Sequence, residues 1–152
     1  MDYLLALPSL LCGIALSLED IRTRSVPRSW VLAGVFLQFV VLTMAAFVFN
    51  EARLALLPPC YGLSAALIQY ALSSMAHGSL GFGDVTASAM IGQAVGVFGM
   101  EAFLLWWTIM AVIGLSSIGL RRATKVKDTA MPFVPVLFIS ALMAVILAHF
   151  VR

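Results

Sequence analysis

The stretch His77-Gly78-Ser79-Leu80-Gly81-Phe82-Gly83-Asp84 is a short polar break between two long apolar runs, and it ends by placing a carboxylic acid where the second run begins. Around it nearly everything is hydrocarbon. Hydrophobic residues make up 62% of the 152-residue chain and charged residues 11%, with a mean hydropathy of +1.07, far outside the norms of a soluble domain. In a bilayer only helices and closed barrels satisfy their own backbone polar groups, and these runs are continuous rather than alternating, which selects helices. The expected fold class is therefore all-α, a polytopic transmembrane helix bundle of about six spans, forming one domain over residues 1–152.

Working outward from the break, the apolar runs are 3–18, 29–49, 54–76, 85–100, 102–120 and 131–151. Each is close to the roughly 20 residues needed to cross about 30 Å of hydrocarbon. Only Glu101 separates the fourth run from the fifth, so these two read as a tight hairpin whose turn draws on the backbone freedom of Gly99. The first run lacks the basic leading segment of a secretory signal and reads as a retained span.

Basic residues set the orientation. Arg22, Arg24 and Arg28 lie between runs one and two, and Arg121, Arg122, Lys125 and Lys127 between runs five and six, whereas Arg53 and Arg152 fall on the other side. The positive-inside rule then puts loops 19–28, 77–84 and 121–130 in the cytoplasm and both termini outside. The basic 121–130 loop reads as a contact for anionic membrane lipid. No basic stripe of the kind that binds nucleic acid is present.

Most other polar or special residues have structural readings. Trp30, Trp106 and Trp107 fit an aromatic belt at the membrane interfaces. Pro8, Pro58 and Pro59 are expected near the outer ends of runs one and three, where a missing N–H matters little. Gly92 and Gly96 form a small-x-x-x-small face for close helix packing, while Gln38, Gln69 and Gln93 are expected to hydrogen-bond between helices. Cys12 and Cys60 read as buried small apolar residues. His77 and His149 lie at opposite ends of the membrane, so no metal-binding set is expected, and no cofactor.

Two acids remain, Asp84 and Asp20, the latter within Glu19-Asp20-Ile21-Arg22-Thr23-Arg24. Asp84 at the start of a helix is placed to cap free N–H groups and is favoured by the helix dipole. Asp20 at the end of run one opposes that dipole, with Arg22 and Arg24 available to compensate. Both acids fall at a membrane boundary on one face, where ionisable groups are functional candidates. Two carboxylates brought close together cannot readily both ionise, and sharing a proton is the chemistry of an aspartic protease. No plausible Ser/His/Asp or Cys/His set competes with them.

Three segments taken in order, Asp20-Ile21-Arg22 with Val26-Pro27, then Gly81-Phe82-Gly83-Asp84-Val85, then Met131-Pro132-Phe133-Val134-Pro135, closely resemble the type IV prepilin peptidases, the GxGD-type intramembrane aspartic proteases. The resemblance covers almost the whole chain. It implies that Asp20 and Asp84 are the catalytic pair, and that Gly81, Gly83, Arg22, Pro27, Pro132, Phe133 and Pro135 shape the site or bind substrate. It further implies a multi-pass protein of the prokaryotic inner (cytoplasmic) membrane whose partner is a prepilin or pilin-like substrate, cut at the cytoplasmic face. Two features depart from the family. Many members carry Lys two residues after the motif acid, where this chain has Thr86, leaving Arg22 or Arg24 to substitute for the charge. Larger members also carry a Cys-x-x-Cys cytoplasmic segment and methylate the new N-terminus. Between runs one and two this chain has only a short loop, so peptidase activity without methylation is expected, as in the branch that processes Flp/Tad-type pilins.

The expected mechanism is attack by a water activated on the Asp20/Asp84 dyad, with Gly81 and Gly83 making room for an extended substrate strand. The competing readings are a small ion-coupled transporter, which calls for charges deeper in the spans, and a non-catalytic assembly subunit of a pilus or secretion system.

Overall fold

A computed structural model describes residues 2–75, 81–123 and 133–151. The expectations attached to His77, Lys125, Lys127, Met131, Pro132 and Arg152 fall outside these residues, as do those that need the side chains of Arg121, Arg122 and His149. The described residues form six helices: α1 (Asp2–Thr23), α2 (Arg28–Phe49), α3 (Arg53–Met75), α4 (Phe82–Gly96), α5 (Met100–Ala123) and α6 (Val134–Val151). Together they make a helical bundle. The expected runs match these helices to within a few residues at most ends. The hairpin turn between α4 and α5 is Val97-Phe98-Gly99, with Gly99 in the left-handed region at φ 88°. Glu101 is not the separator but lies in the first turn of α5, where the helix dipole favours an acid.

Among the described residues four helices, α1, α2, α3 and α5, are long and apolar enough to cross a membrane. Their outward side chains, among them Leu4, Leu11, Phe36, Phe47, Leu63 and Leu115, are exposed as lipid-facing residues must be. Helix α4 is different. Its 15 residues rise about 22 Å, short of the roughly 30 Å hydrocarbon layer, and it packs against all five other helices. Ten of its residues are buried, so the fourth apolar run is apolar all round because it is the centre of the bundle, not because lipid surrounds it.

Absent side chains let α3 and α4 meet. A Cβ on Gly92 would stand 2.9 Å from the Cβ of Ala65 and 3.1 Å from the Cα of Gly62, and one on Gly96 would stand 2.8 Å from the Cβ of Tyr61. The expected small-residue face is thus an α3–α4 seam. Between α1 and α6, Gly13 receives the ring of Phe138, at 2.7 Å from where a Cβ would sit.

Several local expectations are corrected. Pro8 lies well inside α1, and Pro58 and Pro59 lie inside α3, rather than in a first turn. The break at Pro8 is repaired from α2: the Ser9 N–H donates to Gln38 Oε1 at 3.1 Å, and Gln38 Nε2 donates to the Leu5 carbonyl at 2.6 Å. One side-chain amide therefore joins the two backbone groups that an uninterrupted helix would pair directly. Gln38 thus makes the expected interhelical bond. Gln69 and Gln93, though buried, have Oε1 atoms without a partner among the described residues. Trp106 is not a belt residue, because it is fully buried and its Nε1–H donates to the Leu137 carbonyl at 3.0 Å, tying α5 to α6. Trp107 lies beside it, tilted by 52° at 5.5 Å between centroids, whereas Trp30 is exposed as a belt residue would be. Cys12 is half-buried, but Cys60 is exposed on the outer side of α3 and is not a core residue.

Candidate active site

The buried side of α1 is spaced as Ser9, Gly13, Leu16, Ser17 and Asp20, a single helical stripe made mostly of small residues. Small residues allow α6 to lie close, and the contact of Gly13 with Phe138 sets the start of α6 beside Asp20. There the Val134 N–H donates to Asp20 Oδ2 at 3.1 Å, across 114 residues of sequence, and the Phe133 N–H also bonds this carboxyl. Both amides belong to the start of α6, where an α-helix has no internal acceptor for them. Asp20 is only 5% exposed.

This arrangement answers the dipole problem of Asp20 in a way the sequence did not suggest. The acid sits at the unfavourable end of its own helix but caps the favourable end of another. Arg22 and Arg24, the expected compensators, are exposed; Arg22 lies in the last turn of α1, and Arg24 closes the helix in the left-handed region at φ 52°, its N–H donating to the Asp20 carbonyl at 2.9 Å.

Asp84 is the third residue of α4 and reaches back to its start, with the Gly81 N–H donating to Asp84 Oδ2 at 3.2 Å. The capping role expected for this acid is therefore present. It lies just before the apolar run and is partly buried. Burial first, and the neighbouring Asp20 charge second, push its pKa up to about 6, against the opposing influence of the Gly81 amide. The bundle thus brings together the two acids that stand so far apart in sequence. Each caps a helix start, Asp20 that of α6 and Asp84 that of α4.

The other anticipated residues flank this pair. Pro27 is the N-cap of α2 and half-buried, and its carbonyl accepts from the Trp30 N–H at 3.1 Å. Phe133 packs against the core while its amide serves Asp20, and Pro135 occupies the first turn of α6, where its missing N–H leaves no acceptor unserved. At Gly83 the position that a Cβ would take is occupied by Val26, whose Cβ would be 2.8 Å from it. At Gly81 a Cβ would meet nothing closer than Asp84 Oδ2 at 3.7 Å, so that side remains open. Thr86 turns its hydroxyl to the Gly83 carbonyl at 3.0 Å, back onto its own helix.

Three participants were not singled out from sequence. The Val134 amide was foreshadowed only by the prolines that mark a helix start. Val26 had no signal beyond its place in a motif, and Arg28, whose guanidinium carbon lies 5.7 Å from the Phe82 ring centroid, stood out only as a basic residue. Among the described residues no three of His, Cys, Asp and Glu gather closely enough to hold a metal ion. What the site offers chemically is two neighbouring carboxyls, one of them inclined to keep its proton, with backbone amides orienting each. Comparisons with protein-family models, with curated proteins and with solved structures return no match, so the site stands on its own geometry.

Proposed function

We propose that this chain is a membrane-embedded aspartic endopeptidase of the prepilin peptidase type, removing the leader from a pilin-like protein at the cytoplasmic face of the inner membrane. The observation that carries this reading is that Asp20 and Asp84, on helices α1 and α4 that pack together, each accept a backbone N–H at a helix start, with the Asp20 charge contributing to the raised pKa of Asp84. The resemblance of the three motif segments supplies the substrate class.

In the proposed reaction Asp20 is the base and Asp84 the acid. Asp20 is assigned the base because it accepts backbone N–H groups, which oppose the push of burial toward its neutral form, and Asp84 the acid because its raised pKa keeps a proton available. Asp20 draws a proton from water as the water oxygen attacks the scissile carbonyl carbon, and Asp84 gives its proton to the carbonyl oxygen. The resulting diol collapses as its C–N bond breaks. Asp20 passes its proton to the leaving nitrogen, and Asp84 recovers one from a diol hydroxyl. One water is consumed, and no covalent enzyme intermediate forms. The apolar helix of the substrate stays in the bilayer while the peptide around the scissile bond unwinds, since a helical peptide bond is shielded by its own hydrogen bonds.

The test is coexpression with candidate pilins, reading leader removal by gel shift and N-terminal sequencing. Asp20→Asn and Asp84→Asn are each expected to abolish cleavage while the protein remains in the membrane. Substantial cleavage by either variant refutes the dyad.

A further inference from the structure

The loop between α1 and α2 is tied to the start of α4 at two adjacent points. Val26 occupies the space beside Gly83, with its Cβ 2.8 Å and its Cγ2 3.0 Å from where a Cβ at 83 would be. Two residues on, the Arg28 guanidinium lies over the ring of Phe82, which is 57% exposed and so held by little else on its outer side. Both tied residues immediately precede Asp84. The loop itself leaves α1 just after Asp20, through the left-handed Arg24, and is stiffened by Pro27 at the start of α2.

We propose that Val26-Pro27-Arg28 is a clasp that fixes where Asp84 stands relative to Asp20, with Val26 as the principal positioning residue and Arg28 as its outer latch. Gly83 is required because Val26 needs its space, so the requirement is steric, local and reciprocal. A side chain at 83 lifts the first turn of α4 off the loop and carries Asp84 away from Asp20. Removing the Val26 side chain gives that space back. Val26→Ala leaves the offending Cβ in place and relieves the contact only in part; Val26→Gly relieves it fully.

The inference concerns the acid pair on which the peptidase reading rests, but its test does not depend on cleavage. The full-length protein in detergent, selectively labelled with carboxyl-¹³C aspartate, is titrated by NMR. The Asp84 resonance is identified by its loss in Asp84→Asn, and folding is checked by tryptophan emission, to which buried Trp106 contributes. Gly83→Ala is expected to lower the Asp84 midpoint by about one pH unit, as Asp20 recedes and water enters. The double variant Gly83→Ala/Val26→Gly is expected to restore it, Gly83→Ala/Val26→Ala to restore it in part, and Arg28→Ala to shift it less than Gly83→Ala, with Arg28→Lys closer to wild type. An unchanged midpoint in folded Gly83→Ala overturns the clasp, as does a folded double variant that fails to recover. If the midpoints move as expected but no pilin is cleaved by the wild-type protein, the clasp stands and the peptidase reading falls. If pilin is cleaved but the midpoints do not move, the peptidase reading stands and the clasp falls.

Discussion

Replacing Asp84 by Asn is expected to stabilise the protein, and only at higher pH. The carboxyl is raised from 3.8 to about 6, by burial first and then by Asp20. Within that window the folded protein retains a proton that the unfolded chain has released, so stability falls as pH rises through it and is lowest above it. Two pH units correspond to about 3 kcal/mol at the upper bound, and because Asp84 is only partly buried, solvent screening reduces this to about 1–2 kcal/mol. Asn keeps an oxygen for the Gly81 N–H at the start of α4 and abolishes the like charge beside Asp20. The assay is chemical or thermal unfolding in detergent, followed by tryptophan emission and repeated from about pH 4 to pH 8. The variant is expected to exceed wild type by about 1–2 kcal/mol near pH 8, with the gain vanishing near pH 4, where wild-type Asp84 is itself protonated. A gain of equal size at every pH, or a variant less stable than wild type near pH 8, refutes the argument.

Cleavage by the wild-type protein is expected to follow a bell-shaped pH profile whose basic limb falls near pH 6, as Asp84 loses its proton, and a pH-rate curve on a purified pilin substrate checks this. Two glycines are expected to respond to alanine with opposite signs. Gly92→Ala forces a Cβ against Ala65 and the Gly62 backbone and is expected to destabilise by about 1–3 kcal/mol, whereas Gly114→Ala in α5 meets nothing within 4 Å and is expected to stabilise by about 0.5 kcal/mol. Unfolding midpoints of the two variants beside wild type decide both.

The helices were legible because apolar runs of membrane length leave little choice of structure, and the Gly92/Gly96 seam because small residues at that spacing admit a close neighbour. Asp20 and Asp84 were legible as polar exceptions in a hydrocarbon background. Their environment was not. Nothing local to Asp20 indicates that its partners are amides at the start of α6, because that pairing depends on Gly13 admitting Phe138. Trp106 escaped for a related reason: hydropathy places a tryptophan along a span but does not say which side of the helix faces protein, and here the indole found the Leu137 carbonyl inside. The same gap hid the enclosure of α4, since lipid and protein interior select the same residues.

The shortness of α4 bears on how the protein is made. A helix of 15 residues that reaches only about 22 Å gains too little from lipid alone to hold a transmembrane position, and its close-packed glycines leave it little side chain to offer the bilayer. It settles when α3 and the surrounding helices receive it. Asp84 therefore has no fixed relation to Asp20 in the nascent chain, and α6, which supplies the amides to Asp20, is synthesised after α1–α5. The paired acids come into being with the finished bundle, so a partly inserted chain carries both carboxylates but not the site.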